Sequence, residues 1–251
     1  MTRPDPAYRP EDFWQNRLSE HFDLRGTGHP GCSFDYNRRC YLLRALVLDA
    51  TLARHAVGLA GRRVLDAGCG TGFFAEHYLT RGALVSGVDL TEVSVRELSK
   101  RFPEARFEVG DLAEWRPRET YHLVSCFDVL FHIVEDAAWS RALDHLVEAV
   151  APDGYFVFTE QFLLGRTGRL AAHNQVRSRA AYAKALAARG MTVLAERPTH
   201  HLMNSELGAF RFLNRAPALL YAVDRALLSA RLLESHGGNR LVLARRKATG
   251  P

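Results

Sequence analysis

The sequence predicts an α/β fold, a mostly parallel sheet covered by helices on both faces. Three observations predict it. Short apolar runs alternate with helix-length segments from residue 62 to residue 159, which implies parallel strands joined by helical crossovers. Three of those runs end in or beside an acid, at Asp66, Asp89 and Asp111. The first leads at once into the glycine-dense turn Gly68-Cys-Gly-Thr-Gly72 and a helix-like segment. A strand entering a tight turn at a helix N-terminus is where α/β sheets bind nucleotide-bearing ligands.

Residues 11–24 and 35–57 read as helices, with apolar positions three and four apart, such as Leu42, Leu43, Leu46 and Val47. Between them, residues 25–32 are rich in Gly and carry a Pro, and read as a loop. Strands are predicted at 62–66, 84–89, 105–109, 121–126 and 155–159, and helices at 73–81, 92–101 and 136–151. Pro152-Asp-Gly-Tyr155 is a turn feeding the fifth strand. A helix at 178–189 stops at Gly190, and 191–196 is a sixth strand. Residues 207–234 are helical and amphipathic, Gly237-Gly-Asn239 is a turn, and 240–245 is the last strand.

The acids are evenly spaced: Asp89 lies 23 residues after Asp66, and Asp111 a further 22. A carboxylate about 20 residues after a glycine turn can accept both ribose hydroxyls through its two oxygens. The glycines do not fit the dinucleotide spacing, because Phe73 stands where a third glycine would fall. Val64-Leu-Asp-Ala-Gly-Cys-Gly-Thr-Gly72, Gly87-Val-Asp-Leu90, Val109-Gly-Asp-Leu112 and the run Leu123–Ile133 together resemble the class I S-adenosylmethionine-dependent methyltransferases over residues 60–160. The resemblance implies a Rossmann-like seven-stranded sheet in the order 3-2-1-4-5-7-6 with the last strand antiparallel. It further implies an N-terminal helical cap (1–59), a cofactor-binding core (60–160), and substrate-side elements with a helical insertion before the final strand (161–251), all in one domain. S-adenosylmethionine is the implied cofactor. The implied contacts are Asp66, Gly68, Cys69 and Gly70 in the first motif, Asp89 and Leu90 at the ribose, Asp111 and Leu112 at the adenine, and Phe127 beside the amino end. Phe127 stands where the family often has Ser or Asn, which makes it a candidate wall for an aromatic substrate. Tyr36 and Arg44 are candidates for the cofactor's carboxylate.

Composition sets outer bounds. The chain has 251 residues, 47% apolar and 24% charged, ordinary for one globular α/β domain. The start Met-Thr-Arg-Pro-Asp-Pro lacks the apolar core of a signal peptide, and no apolar run approaches the roughly 20 residues needed to span a membrane. A cytoplasmic protein, monomer or homodimer, with no membrane partner is expected. The four cysteines form no C-x-x-C pair, and no metal site is expected. Residues 1–160 carry a net −6 and residues 161–251 a net +11. A basic C-terminal third points to an anionic partner, although the Arg-for-Lys bias also fits codon usage.

Methyl transfer is an in-line displacement, so the protein mainly has to align donor and acceptor and exclude water. A hydroxyl acceptor also calls for a general base. His200 or His201, after the sixth strand, and then His132, after the fourth, are the candidates, since neutral imidazole takes a proton near pH 7. Glu160, Gln161 and His173 lie at the edge of the same region, and Phe22, Phe34 and Tyr36 are candidates for an aromatic lid. The function expected is methylation of a hydroxyl on a small molecule, such as a secondary metabolite or glycan-type compound. Two alternatives stay open: an adenosylmethionine-binding protein with other chemistry (hydroxylation, cyclisation) or a scaffold role, and an RNA methyltransferase using the basic third.

Overall fold

A computed structural model describes residues 8–162, 168–203, 208–232 and 238–247. The N-terminal helices are α1 (Pro10–Glu20), the single turn α2 (Leu24–Thr27) and α3 (Phe34–Arg54). The alternating core follows: β1 (Arg63–Ala67), α4 (Phe73–Leu79), β2 (Leu84–Asp89), α5 (Glu92–Arg101), β3 (Arg106–Val109), β4 (Tyr121–Cys126), α6 (Asp136–Ala149) and β5 (Val150–Phe162). After it come a small hairpin of β6 (Gly168–Ala171) and β7 (Asn174–Val176), then α7 (Arg179–Ala188), β8 (Met191–Pro198), α8 (Pro217–Ser229) and β9 (Gly238–Arg246).

Seven strands form one sheet in the order β3-β2-β1-β4-β5-β9-β8. Strands β1 to β5 pair in parallel, and β9 runs antiparallel to both neighbours. The expected permutation holds for the main sheet, and its ordinals shift only because the unforeseen β6–β7 pair stands apart. Successive strand residues point to opposite faces. Val64, Leu123, Val157 and Leu243 join a core under α3, α4 and α8, while Leu65, Val124, Phe158 and Val242 join a second core under α6 and α7.

Three boundaries differ from the sequence reading. The first helix stops at Glu20, and α2 starts separately because the Asp23 side chain accepts from Arg25 N–H at 2.7 Å and caps it. The stretch read as one helix over 207–234 is a 3-10 helix, Gly208–Arg215, followed by α8. Pro217 lacks the N–H that would continue the first helix into the second. The turn at Pro152–Tyr155 lies inside β5 as an irregularity, where Asp153 has φ +59° and the register against β4 shifts.

Part of the basic third's charge is paired inside the molecule. Arg177, Arg189 and Arg245 pair with Asp136, Asp144 and Asp153 at 2.8, 2.7 and 2.9 Å. Arg179 and Arg240 share Glu196. Five arginines of the basic third therefore face acids of this chain.

Candidate active site

The carboxyl ends of β1, β2 and β4 open onto one cavity of about 430 Å³. Its floor is the turn between β1 and α4. Gly68, Gly70 and Gly72 all have positive φ (74°, 51° and 81°). A side chain at Gly68 would also strike Val129, whose Cγ2 lies 2.3 Å from an added Cβ, so only glycine serves there.

The turn's own amides are already engaged. Gly68 and Cys69 donate to the Val88 carbonyl at 2.7 and 3.2 Å, Gly72 to the Cys69 carbonyl at 2.8 Å, and Gly70 to Asp89 Oδ2 at 2.8 Å. Asp66 accepts from Ser125 Oγ at 3.1 Å and from the Ala75 amide in the first turn of α4. A phosphate cradle needs free N–H groups at the helix N-terminus; here the Val88 and Cys69 carbonyls and the Asp66 and Asp89 carboxylates have taken most of them.

The charged lining is acidic: Glu11, Asp66, Asp89, Asp111, Asp128 and Glu135 face the cavity against Arg9. Burial pushes the Asp66 carboxyl up to about 7, with the Ser125 bond only partly offsetting it. Burial also raises Asp89, despite the bonds it accepts from Thr91 N, Thr91 Oγ1 and Gly70 N. A cation in the cavity would favour the ionised form of both. Asp111 Oδ1 accepts from Ala113 N at 2.9 Å, which fixes the turn after β3.

Asp66, Gly68, Cys69, Gly70, Asp89, Leu90, Asp111, Leu112 and Phe127 all line this cavity, and so does His132. Tyr36, Arg44, His200 and His201 do not line it. Tyr36 is fully buried in the core under α3. The Arg44 guanidinium pairs with Asp128 at 2.8 Å and lies 5.2 Å over the Tyr41 ring. Arg44 reaches the cavity only through Asp128 and Tyr41, which line it. His201 and the two residues after it are held away by Asp224 of α8, whose carboxylate accepts the amides of His201, Leu202 and Met203 at 2.8–2.9 Å. His200 is set behind Asp128; burial and the nearby Arg44 push its imidazole down to about 3. Of the aromatic lid candidates, Phe34 is exposed and Phe22 packs beside α5; the aromatics over the cavity are Tyr8 and Trp14.

Sequence reasoning missed Asp128. It has φ +57° and accepts from Arg44, from Thr159 Oγ1 at 2.8 Å and from Asn239 Nδ2 at 2.9 Å. Burial works to raise its pKa, but Arg44, Asn239 and Thr159 outweigh it and hold the carboxylate below its ordinary value. Its neighbours come from α3, β5 and β9, so no local spacing could have marked it.

His132 has a defined tautomer. Its Nδ1 lies 2.8 Å from the His173 carbonyl, and a carbonyl only accepts, so Nδ1 carries the hydrogen and Nε2 the lone pair. Burial pushes its pKa down to about 4. Glu160 lies on the opposite face of β5 from Thr159, with no access to solvent. Tyr182 Oη donates to its Oε2, Trp139 Nε1 donates to Tyr182 Oη at 3.1 Å, and Gln161 N donates to Oε1 at 2.7 Å. Burial raises this carboxyl from 4.5 to about 8. A group raised in the fold gives its full stabilisation below 4.5 and loses it as pH climbs to about 8. Glu160→Gln is therefore expected to flatten the fall in urea stability between pH 5 and 8, and an unchanged slope would count against a protonated Glu160.

The comparisons with known proteins agree with this geometry. A family model described as a methyltransferase domain matches residues 64–154. That match runs from β1 into β5. The domain is similar to the ubiquinone biosynthesis O-methyltransferase of Dechloromonas aromatica, 35% identical over 100 residues that cover 37% of this chain and 43% of that protein. It is also similar to the dTDP-3-amino-3,6-dideoxy-alpha-D-glucopyranose N,N-dimethyltransferase of Streptomyces fradiae, 29% identical over 66% of this chain and 63% of that protein. The match spans less than half the length of the ubiquinone-pathway relative. The methyltransferase fold recurs in the magnesium protoporphyrin IX methyltransferase of Synechocystis PCC 6803, with a TM-score of 0.63 and 18% identity over 97% of this chain and all of that one. No described helix is long and apolar enough to cross a membrane, and no group of three metal-ligating side chains occurs among the described residues.

Proposed function

We propose that this chain binds S-adenosylmethionine in the cavity and transfers its methyl group to a hydroxyl of a small molecule in the cytoplasm. When bound, the cofactor supplies an electrophilic methyl on a cationic sulfonium. The observation that carries the reading is the lining, in which carboxylates dominate and the turn amides are already engaged. That lining suits a cation with a ribose diol and does not suit a pyrophosphate. Asp89 would accept the ribose hydroxyls, Asp111 and Leu112 would flank the adenine, and the turn from Asp66 to Gly70 with Phe127 would hold the amino-acid end. Arg44 is proposed to act through Asp128 and Tyr36 through the packing of α3.

His132 is the proposed base, since it is the one candidate histidine that lines the cavity, and its Nε2 is the acceptor nitrogen. The acidic lining favours a neutral or cationic acceptor over an anionic one. It also supports a second reading, methylation of an amine, the chemistry named for the Streptomyces fradiae relative.

Calorimetric titration with S-adenosylhomocysteine tests the cofactor half. Asp89→Ala removes an ionic acceptor of two hydroxyl bonds, worth about 1.5–3 kcal/mol each, so affinity is expected to fall at least tenfold. Wild-type affinity in Asp89→Ala, or no uptake by the wild type, would overturn it. Label transfer from methyl-labelled cofactor to matched hydroxyl and amine acceptors separates the two readings.

A further inference from the structure

The cavity's roof is attached differently from the rest of the molecule. Tyr8, Trp14 and Leu18 close it from above, and the last two belong to α1. Only Leu18 of α1 is buried, and no α1 residue belongs to the apolar clusters that hold the other helices to the sheet. Besides buried Leu18 and the approach of α1 to α2 and α5, what holds α1 is a set of ring contacts. Phe13 stacks on His173 with centroids 5.0 Å apart, and Trp14 meets His132 edge-on at 4.8 Å. Arg17 adds a bond to the Gly28 carbonyl at 2.5 Å. Behind these rings, His173 stacks on His132 at 5.6 Å and gives its carbonyl to Nδ1.

His132 is thus both the catch for α1 and the lone-pair nitrogen in the cavity. We propose that α1 is a lid latched by this ring stack, and that Trp14 and His173 are positioning residues that orient the His132 imidazole when the lid is shut. The inference rests on the reading of His132 as the base. A helix that buries one side chain and otherwise rests on a few ring contacts marks an element that opens at low cost, and a buried cofactor needs such an opening to enter. Shutting the lid removes water from one side of His132 and fixes its ring plane. The site would therefore be completed only after the cofactor is enclosed.

Two measurements on the full chain test this without a substrate. Hydrogen exchange is expected to show α1 amides opening at least tenfold more often in Phe13→Ala and Trp14→Ala than in the wild type, with α6 unchanged. Histidine NMR is expected to place the wild-type His132 midpoint near 4 and to move it up by about one unit in Trp14→Ala, as water reaches the ring. The charged and titratable groups facing His132 are His173 from the β6–β7 turn, Asp128 from the loop after β4 and Arg17 from α1. Trp14→Ala removes none of them, so a shift reports solvation. Trp14→Phe should restore both readouts.

Unchanged exchange in both alanine variants would overturn the lid, and an unmoved midpoint would overturn the positioning role. Added S-adenosylhomocysteine should slow α1 exchange in the wild type. If the wild type takes up none, the cofactor reading fails, while the exchange and titration results still decide the latch.

Discussion

His132→Ala is expected to slow methyl transfer to a hydroxyl acceptor by about a hundred- to ten-thousand-fold, while the affinity for S-adenosylhomocysteine changes only a few-fold. The asymmetry follows from geometry. His132 sits past β4 with Nδ1 held by the His173 carbonyl, so its loss removes a proton acceptor and one wall of the cavity, and no group assigned to the ribose or adenine. Single-turnover kinetics with labelled cofactor measures it.

The pH profile carries a second signature. With its pKa pushed down to about 4 by burial, the imidazole is unprotonated throughout the neutral range. The rate limb belonging to it should fall only as pH drops through about 4, one decade per unit, and be absent in the variant. The low pKa also makes it a weak base, so acceptors with more acidic hydroxyls should lose less in His132→Ala. An equal rate in wild type and variant on a hydroxyl acceptor would remove His132 from the chemistry and leave the amine reading, which needs less proton transfer.

Asp128→Ala is expected to destabilise the fold by about 3–5 kcal/mol, the cost of stranding a buried charge when its partner is removed. Arg44 cannot shed its proton, and it is buried beside Asp128 with 2.8 Å between the groups. The Thr159 and Asn239 side chains would lose their acceptor as well. Asp128→Asn should cost less, because Asn tolerates the left-handed backbone at φ +57° and keeps one oxygen for those donors. Urea denaturation at several pH values measures both variants.

The sign of the pH effect is fixed. A carboxylate held below its ordinary pKa stabilises the fold above the unfolded value of 3.8 and loses that contribution as pH falls through the lower folded value. Wild type and variant should therefore converge in strong acid. A loss under 1 kcal/mol near pH 7 in Asp128→Ala would show that Arg44 finds another partner or water.

The crevice proposed for the cofactor was legible because it is local. Each acid ends a strand or follows it directly, and the glycines lie in the first turn, so spacing along the chain places nine candidates in one crevice. The histidine proposed to face the acceptor was not legible, for a physical reason visible in His200 and His201. Both follow β8 as expected, yet Asp224, over 20 residues later on α8, takes three successive amides of that loop and packs it under α3. The Tyr36 and Arg44 candidates failed to reach the cavity for a similar reason. They share one face of α3, and that face turns to the core and to Asp128.

What the sequence determined by itself was the sheet, its parallel core and the acid-lined crevice, since period-2 burial and strand-end turns are properties of neighbouring residues. Only the tertiary structure decided which histidine meets the cavity, which carboxylate anchors Arg44, and where the surplus arginines go. Those outcomes depend on pairings between residues 17 to 111 positions apart, and loop closure over such distances leaves no periodic trace in the chain.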